Sequence, residues 1–123
     1  VALCLRWLYA LFKKVPATFY RTLSGNEPVR AWIKELSAKD RKIVGDDLAT
    51  VEYGWPVGMP VCRSLGDGIW EIRSNLKDGI ARVLFFFHEG RLVLLHGFVK
   101  KTQRTPAEEL ELAAKRKREV ENG

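Results

Sequence analysis

A chain of 123 residues has room for one domain around one core and not for two ordinary ones. Apolar residues make up 46% of it, which excludes a disordered chain except at its ends. Twenty-one Lys and Arg against fifteen Asp and Glu leave a formal charge of +6, a balance shared by binders of polyanions and by basic proteins that bind nothing anionic.

The two cysteines, Cys4 and Cys62, form no CxxC and no disulfide framework, which points to a reduced, cytoplasmic protein. Two histidines without ligand spacing speak against zinc. The opening VALCLRWLYALF is too short to span a bilayer and makes a poor signal peptide. It reads either as a short amphipathic helix capping the core or as an extension packed on a partner. We separate residues 1–15 as an N-terminal extension from a domain over 16–123.

Residues 17–23 (ATFYRTL) alternate β-formers and predict a strand. Asn26 is placed to cap a helix with Pro28 in its first turn. Val29, Trp32, Ile33 and Leu36 give that helix one apolar stripe. Ser37 caps a second helix to about residue 53, with Ile43, Val44, Leu48 and Val51 inward and Asp46 and Asp47 on its wet side. The pair is expected to form a helical hairpin on one sheet face. After a Pro- and Gly-bearing linker come strands at about 61–65, 69–75, 80–88 and 92–100, joined by turns too short for anything but antiparallel pairing. Pro106 opens a last helix with Leu110, Ala113 and Ala114 on one side, fraying over 119–123. The sum is an α+β domain with an antiparallel sheet of four to five strands, one face under the hairpin and the other partly open.

Charges interrupt the apolar strands over residues 61–105, where basic residues outnumber acidic ones two to one up to Arg104. A tight turn centred on Lys77-Asp78 sets Arg73 opposite Arg82 and Glu71 opposite Leu84. One centred on Glu89-Gly90 sets Arg82 opposite Gly97. Alternation then gathers Glu71, Arg73, Arg82 and Lys101 on one face and sends His96 and Lys100 to the other. Such a cluster fits around a phosphate; a solvated face with an ordinary Glu–Arg pair is the plainer reading. His96 reads as a half-buried, hydrogen-bonded side chain, His88 as an exposed one, and Phe85-Phe86-Phe87 as core in alternate members.

SLGDGIWEIRS, ARVLFFF and LVLLHGFVKKTQRTP, followed by an Ala- and Glu-rich helix, resemble the phage Gp49-like, HigB-type branch of the RelE/ParE toxin superfamily. FYRTLSGNEPVRAWIKELS resembles the same family's first strand and helix. The resemblance implies a RelE-like single domain and the toxin of a type II toxin–antitoxin pair. Its activity would be cleavage of mRNA in the ribosomal A site by a metal-independent endoribonuclease without a cofactor. The family's functional residues fall on Glu71, Arg73, Arg82, Lys100 and Lys101. Arg73 and Arg82 would meet the phosphate, and Lys101 or Lys100 would stabilise charge or transfer a proton. Glu71 would either accept the 2′-OH proton or orient Arg73. Arg63, Arg91 and Arg104 would bind RNA. The implied partners are the ribosome, its mRNA and a cognate antitoxin of helix-turn-helix, HigA-like type. The alternatives are a non-enzymatic inhibitor of the gyrase-poison kind and an inert phage-derived binding protein.

Overall fold

A computed structural model describes residues 15–58, 60–101 and 104–123. The expectations for the opening segment therefore lie outside the described residues. In chain order the elements are β1 (Ala17–Phe19), α1 (Pro28–Glu35), α2 (Ala38–Gly54), β2 (Cys62–Gly66), β3 (Ile69–Leu76), β4 (Gly79–His88), β5 (Arg91–Lys100) and α3 (Ala107–Asn122). The five strands form one sheet in the order β1-β5-β4-β3-β2.

The sheet is mixed rather than antiparallel, because β1 runs parallel to β5. The two-residue turns dictate antiparallel pairing only from β2 onward. Between β1 and β5 lie both helices and three strands, ample chain for a parallel return. The expected N-terminal helical hairpin is also corrected. Both helices follow β1, and each packs mainly on the sheet, α1 against β5 and α2 against β3, with less contact between them. Their apolar stripes explain this, since both must be buried against strands. Val29 of α1 and Val44 and Val51 of α2 are buried, beside partly buried Trp32, Ile33 and Leu48. Gly97 lets α1 come close: a Cβ there would run into the Trp32 ring.

Local signals explain the helix ends unevenly. Ser37 caps α2 as expected, its Oγ accepting the Asp40 N–H at 3.2 Å. Asn26 does not cap α1; Glu27 holds that position without a side-chain cap bond. Asp47, expected in water, instead accepts the Ser74 hydroxyl at 2.6 Å and ties α2 to β3.

The second sheet face is covered by α3 over β4 and β5 and stays more open toward β2, so it is partly open as expected, although a helix does lie on it. Leu110, Ala114 and Val120 pack around buried Ala113 on Ile69, Leu84, Phe86, Leu95 and Phe98. With helices on both sides of β4, Phe85 and Phe86 are both buried, on opposite faces, and of the three only Phe87 is exposed. α3 keeps helical geometry to Asn122, through the stretch expected to fray: Tyr20 donates its hydroxyl hydrogen to Glu119, and Arg116 lies 5.2 Å over the Tyr20 ring.

The Lys77-Asp78 turn sets the predicted β3–β4 register throughout, including Arg73 opposite Arg82 and Glu71 opposite Leu84. The Glu89-Gly90 turn sets the predicted pairing only from His88 opposite Arg91 to Phe85 opposite Leu94. There a bulge intervenes. Leu84 pairs with His96, and Arg82 pairs with Phe98 rather than Gly97. Leu95 is the extra residue, and its carbonyl accepts a hydrogen bond from Arg116 Nη1 at 2.7 Å.

Candidate functional site

The bulge decides which lysine shares a face with the arginines. Ile80 pairs with Lys100, so Lys100 and His96 stand on the same side as Arg82, and alternation sends Lys101 the other way. Both lysines are exposed. The expected assignment is thus reversed for Lys100, Lys101 and His96, through a slip of one residue.

Glu71, Arg73 and Arg82 do come together, and Arg63 joins them from β2, directly opposite Glu71. Glu71 is fully buried. Its Oε1 lies 3.3 Å from Arg63 Nη2 and 3.9 Å from Arg73 Nε, and its Oε2 lies 3.8 Å from Arg82 Nη1. The Glu71 carboxylate thus faces three guanidiniums. Arg73 and Arg82 are also a directly opposed like-charged pair, which is unfavourable by itself. The Glu71 carboxylate, close to both, offsets that repulsion.

Thr105 completes the cluster, and sequence reasoning missed it. It precedes Pro106 and the start of α3. Its hydroxyl donates to Glu71 Oε2 and accepts from Arg82 Nη1 at 3.3 Å and Arg63 Nη2 at 3.5 Å. The only signal available was its place in the TQRTP run, which carries no geometry of its own.

Exposure divides the cluster. Arg82, like Glu71, has no exposed surface; the Arg73 side chain is 12% exposed and that of Arg63 34%. In this conformation a ligand can reach Arg63 and Arg73 directly, while the buried Glu71 carboxylate contacts both from beneath. Burial pushes the Arg82 guanidinium below its ordinary pKa; Glu71 pulls it back up, and Arg73 and Arg63 push it down. Arginine starts so high that it stays charged at neutral pH.

Arg63 and Thr105, with Leu65, Arg104 and Leu110, line an open cleft of about 400 Å³ beside the cluster. Arg91 lies elsewhere. It opens β5 opposite His88, whereas the cluster sits across from Phe98, seven residues or roughly 20 Å further along the strand. The expected set Arg63, Arg91 and Arg104 is thus not brought together. His96 is partly buried, as expected, its Nε2 2.5 Å from Glu109 Oε2 and its ring stacked on Phe98. That contact ties the first turn of α3 to the sheet. His88 is only partly exposed.

Planar guanidiniums held by a buried carboxylate and a hydroxyl are chemically suited to an anion such as a phosphate, which they would meet with donors already in place. No helix among the described residues is long and apolar enough to cross a membrane. The family model described as Phage derived protein Gp49-like (DUF891) matches residues 31–118. The match starts within α1 and takes in every residue of the cluster. No curated protein matches the chain. The chain belongs to the Gp49-like family, a RelE-like toxin family.

Proposed function

We propose that this Gp49-like chain is a ribosome-dependent endoribonuclease, the HigB-type toxin of a cytoplasmic type II toxin–antitoxin pair, and that it cuts mRNA in the A site. The observation that carries the reading is the buried Glu71 gathering Arg63, Arg73 and Arg82 beside an open cleft, within a family of RelE-like toxins. In the reaction the ribose 2′-oxygen attacks the adjacent phosphorus, and the bond to the 5′-oxygen of the next nucleotide breaks. The products are a 2′,3′-cyclic phosphate and a 5′-hydroxyl, with one proton leaving the 2′-OH and one reaching the leaving oxygen.

Arg73 and Arg63 would contact the phosphate and stabilise the charge that develops on it. Lys100, exposed on the same face, would supply further charge or the proton for the leaving oxygen. Both Glu71 oxygens are engaged, by three arginines and by Thr105, which supports an orienting role over that of a base. Arg82 acts through the same network as a positioning residue. With no dedicated pair of proton-transfer groups in the cluster, alignment on the ribosome would provide much of the rate. The partner would be a helix-turn-helix, HigA-like antitoxin whose acidic segment complements the basic face.

The test is primer extension on cellular mRNA after induction, paired with cleavage by purified protein with and without ribosomes. Cuts within translated mRNA that need ribosomes and vanish in Arg73→Ala support the proposal. Intact mRNA together with a supercoiling defect would replace it by the gyrase-poison reading.

A further inference from the structure

The sheet edge farthest from the arginine cluster carries a large apolar side chain that the core does not use. β1 and β2 are the two edge strands, so the chain leaving β1 starts four strand spacings, roughly 19 Å, from β2. It passes through Tyr20 and Arg21 into a turn over residues 22–25. Gly25 donates its N–H to the Thr22 carbonyl at 2.9 Å, and Thr22 donates its own to the Asn26 carbonyl at 2.8 Å. The Thr22 hydroxyl accepts the Asn26 N–H at 3.0 Å. These bonds fix the turn and leave Leu23 at its tip, 111% exposed, against 50% for Phe87 and 38% for Val99. Turn tips are ordinarily Gly, Pro, Asn, Asp or Ser, each for a backbone reason that leucine lacks. Leu23 also belongs to neither apolar cluster of the core. It edges an open groove of about 740 Å³ beside the last turn of α3, where Tyr20 and Val120 are its apolar neighbours and Arg21 and Glu119 its charged ones.

We infer that this groove receives Leu23 of a second copy of the chain, in a twofold pair. A patch that carries both a projecting apolar side chain and a groove with apolar walls is complementary to itself, and a twofold axis lets each copy fill the other. The charges favour the same occupant. The Arg21 side chain is 67% exposed, and its 3.7 Å contact with Glu27 is a loose surface pair. Glu119 is exposed on the same groove. Both signs on one patch are matched when the patch meets itself, Arg21 of each copy against Glu119 of the other. A partner of one charge sign would meet a like charge there. The hydrogen bonds of the turn hold Leu23 in place beforehand, so little freedom is lost on docking. The formal charge of +6 on each chain opposes association, which makes the pair a weak one. Because the groove and the arginine cluster lie toward opposite edges of the sheet, both clusters stay open in the pair. The inference is independent of the nucleolytic reading.

Sedimentation velocity on the full chain, from about 10 µM to about 1 mM, reads the association. The mass should rise toward that of two chains across this range. Leu23→Glu should weaken the pair by roughly a hundredfold or more, because each pair buries two leucines, and so remain monomeric throughout. Leu23 is fully exposed, so the same variant takes nothing from the core and should melt with the wild type. Isotope-filtered NOEs between a labelled and an unlabelled copy locate the contact, with the Leu23 methyls of one expected on the Val120 methyls of the other. A wild-type chain that stays monomeric at the highest concentration would overturn the inference. A dimer that survives Leu23→Glu, or that shows no NOE between Leu23 and Val120 across copies, would overturn it too and put the interface elsewhere. Leu23 methyls that shift only when the cognate antitoxin is added would assign the groove to that partner instead. The phosphate reading stands or falls separately, on Arg73→Ala.

Discussion

Replacing Glu71 by Gln removes one charge and almost no volume from a place with no solvent. At an effective dielectric of about 20, each carboxylate–guanidinium contact in the cluster is worth about 4–5 kcal/mol before desolvation is subtracted. The Arg63 contact is partly screened, since that side chain is a third exposed. Repulsion among the three arginines, no longer offset by Glu71, works in the same direction as the lost attraction. The net cost belongs with measured losses of one partner of a buried pair, about 3–5 kcal/mol. For a domain of this size that lowers Tm by about 12–20 °C. Thermal unfolding followed by circular dichroism reads it directly. Added inorganic phosphate should raise the Tm of Glu71→Gln more than that of the wild type, because an anion that binds the native arginines substitutes for the missing carboxylate. A variant that melts within about 3 °C of wild type but has lost cleavage would refute the reasoning: Glu71 would then be a reacting group, not the charge that assembles the site.

Four further outcomes follow from the same geometry. Thr105→Val, which keeps shape and removes the hydroxyl, should cost about 1.5–3 kcal/mol in urea unfolding, because Glu71 and two arginines lose a shared partner. Gly97→Ala should destabilise by about 1–3 kcal/mol through the Trp32 ring and leave phosphate binding intact. Arg91→Ala should cut mRNA at the wild-type rate while Arg73→Ala does not; equal losses would place Arg91 in the site despite its distance. Burial pushes the Cys62 thiol up to about 11 from 9.0. The unfolded chain therefore releases this proton first, so stability held below pH 9 should fall between about pH 9 and 11, by roughly 2 kcal/mol. Peptide-resolved alkylation at pH 8 should leave Cys62 unmodified until the protein unfolds.

The reading of turns carried furthest where a turn was tight and flanked by regular strands. Lys77-Asp78 placed Arg73 against Arg82 without any knowledge of the fold. It failed where the ladder absorbs an extra residue. Nothing in LVLLHG marks Leu95 as unpaired, since its neighbours are equally apolar and its carbonyl is claimed by Arg116 from a helix 21 residues on. Thr105 was illegible for a similar reason, as its partners are three strands brought together only by folding. The parallel placement of β1 and the use of α3 as a cover are tertiary outcomes that the thin Leu110-Ala113-Ala114 stripe understated. Alanines let a helix lie close to a sheet rather than marking it as peripheral. The cluster's membership was thus largely readable from alternation, but the lysine that shares its face was not.

Leu95 also bears on how this chain can change length. Without it, Leu84 would still meet His96, Arg82 would still meet Phe98 and Ile80 would still meet Lys100, now in an unbroken ladder. One codon could therefore be lost at that point while every group of the cluster keeps its side of the sheet. The loss would be a buried leucine and the carbonyl that anchors Arg116. A one-residue deletion between Leu94 and Phe98 is thereby the one that leaves the rest of the register in place. Relatives with a shorter fifth strand should be aligned with their gap there before their lysines are compared.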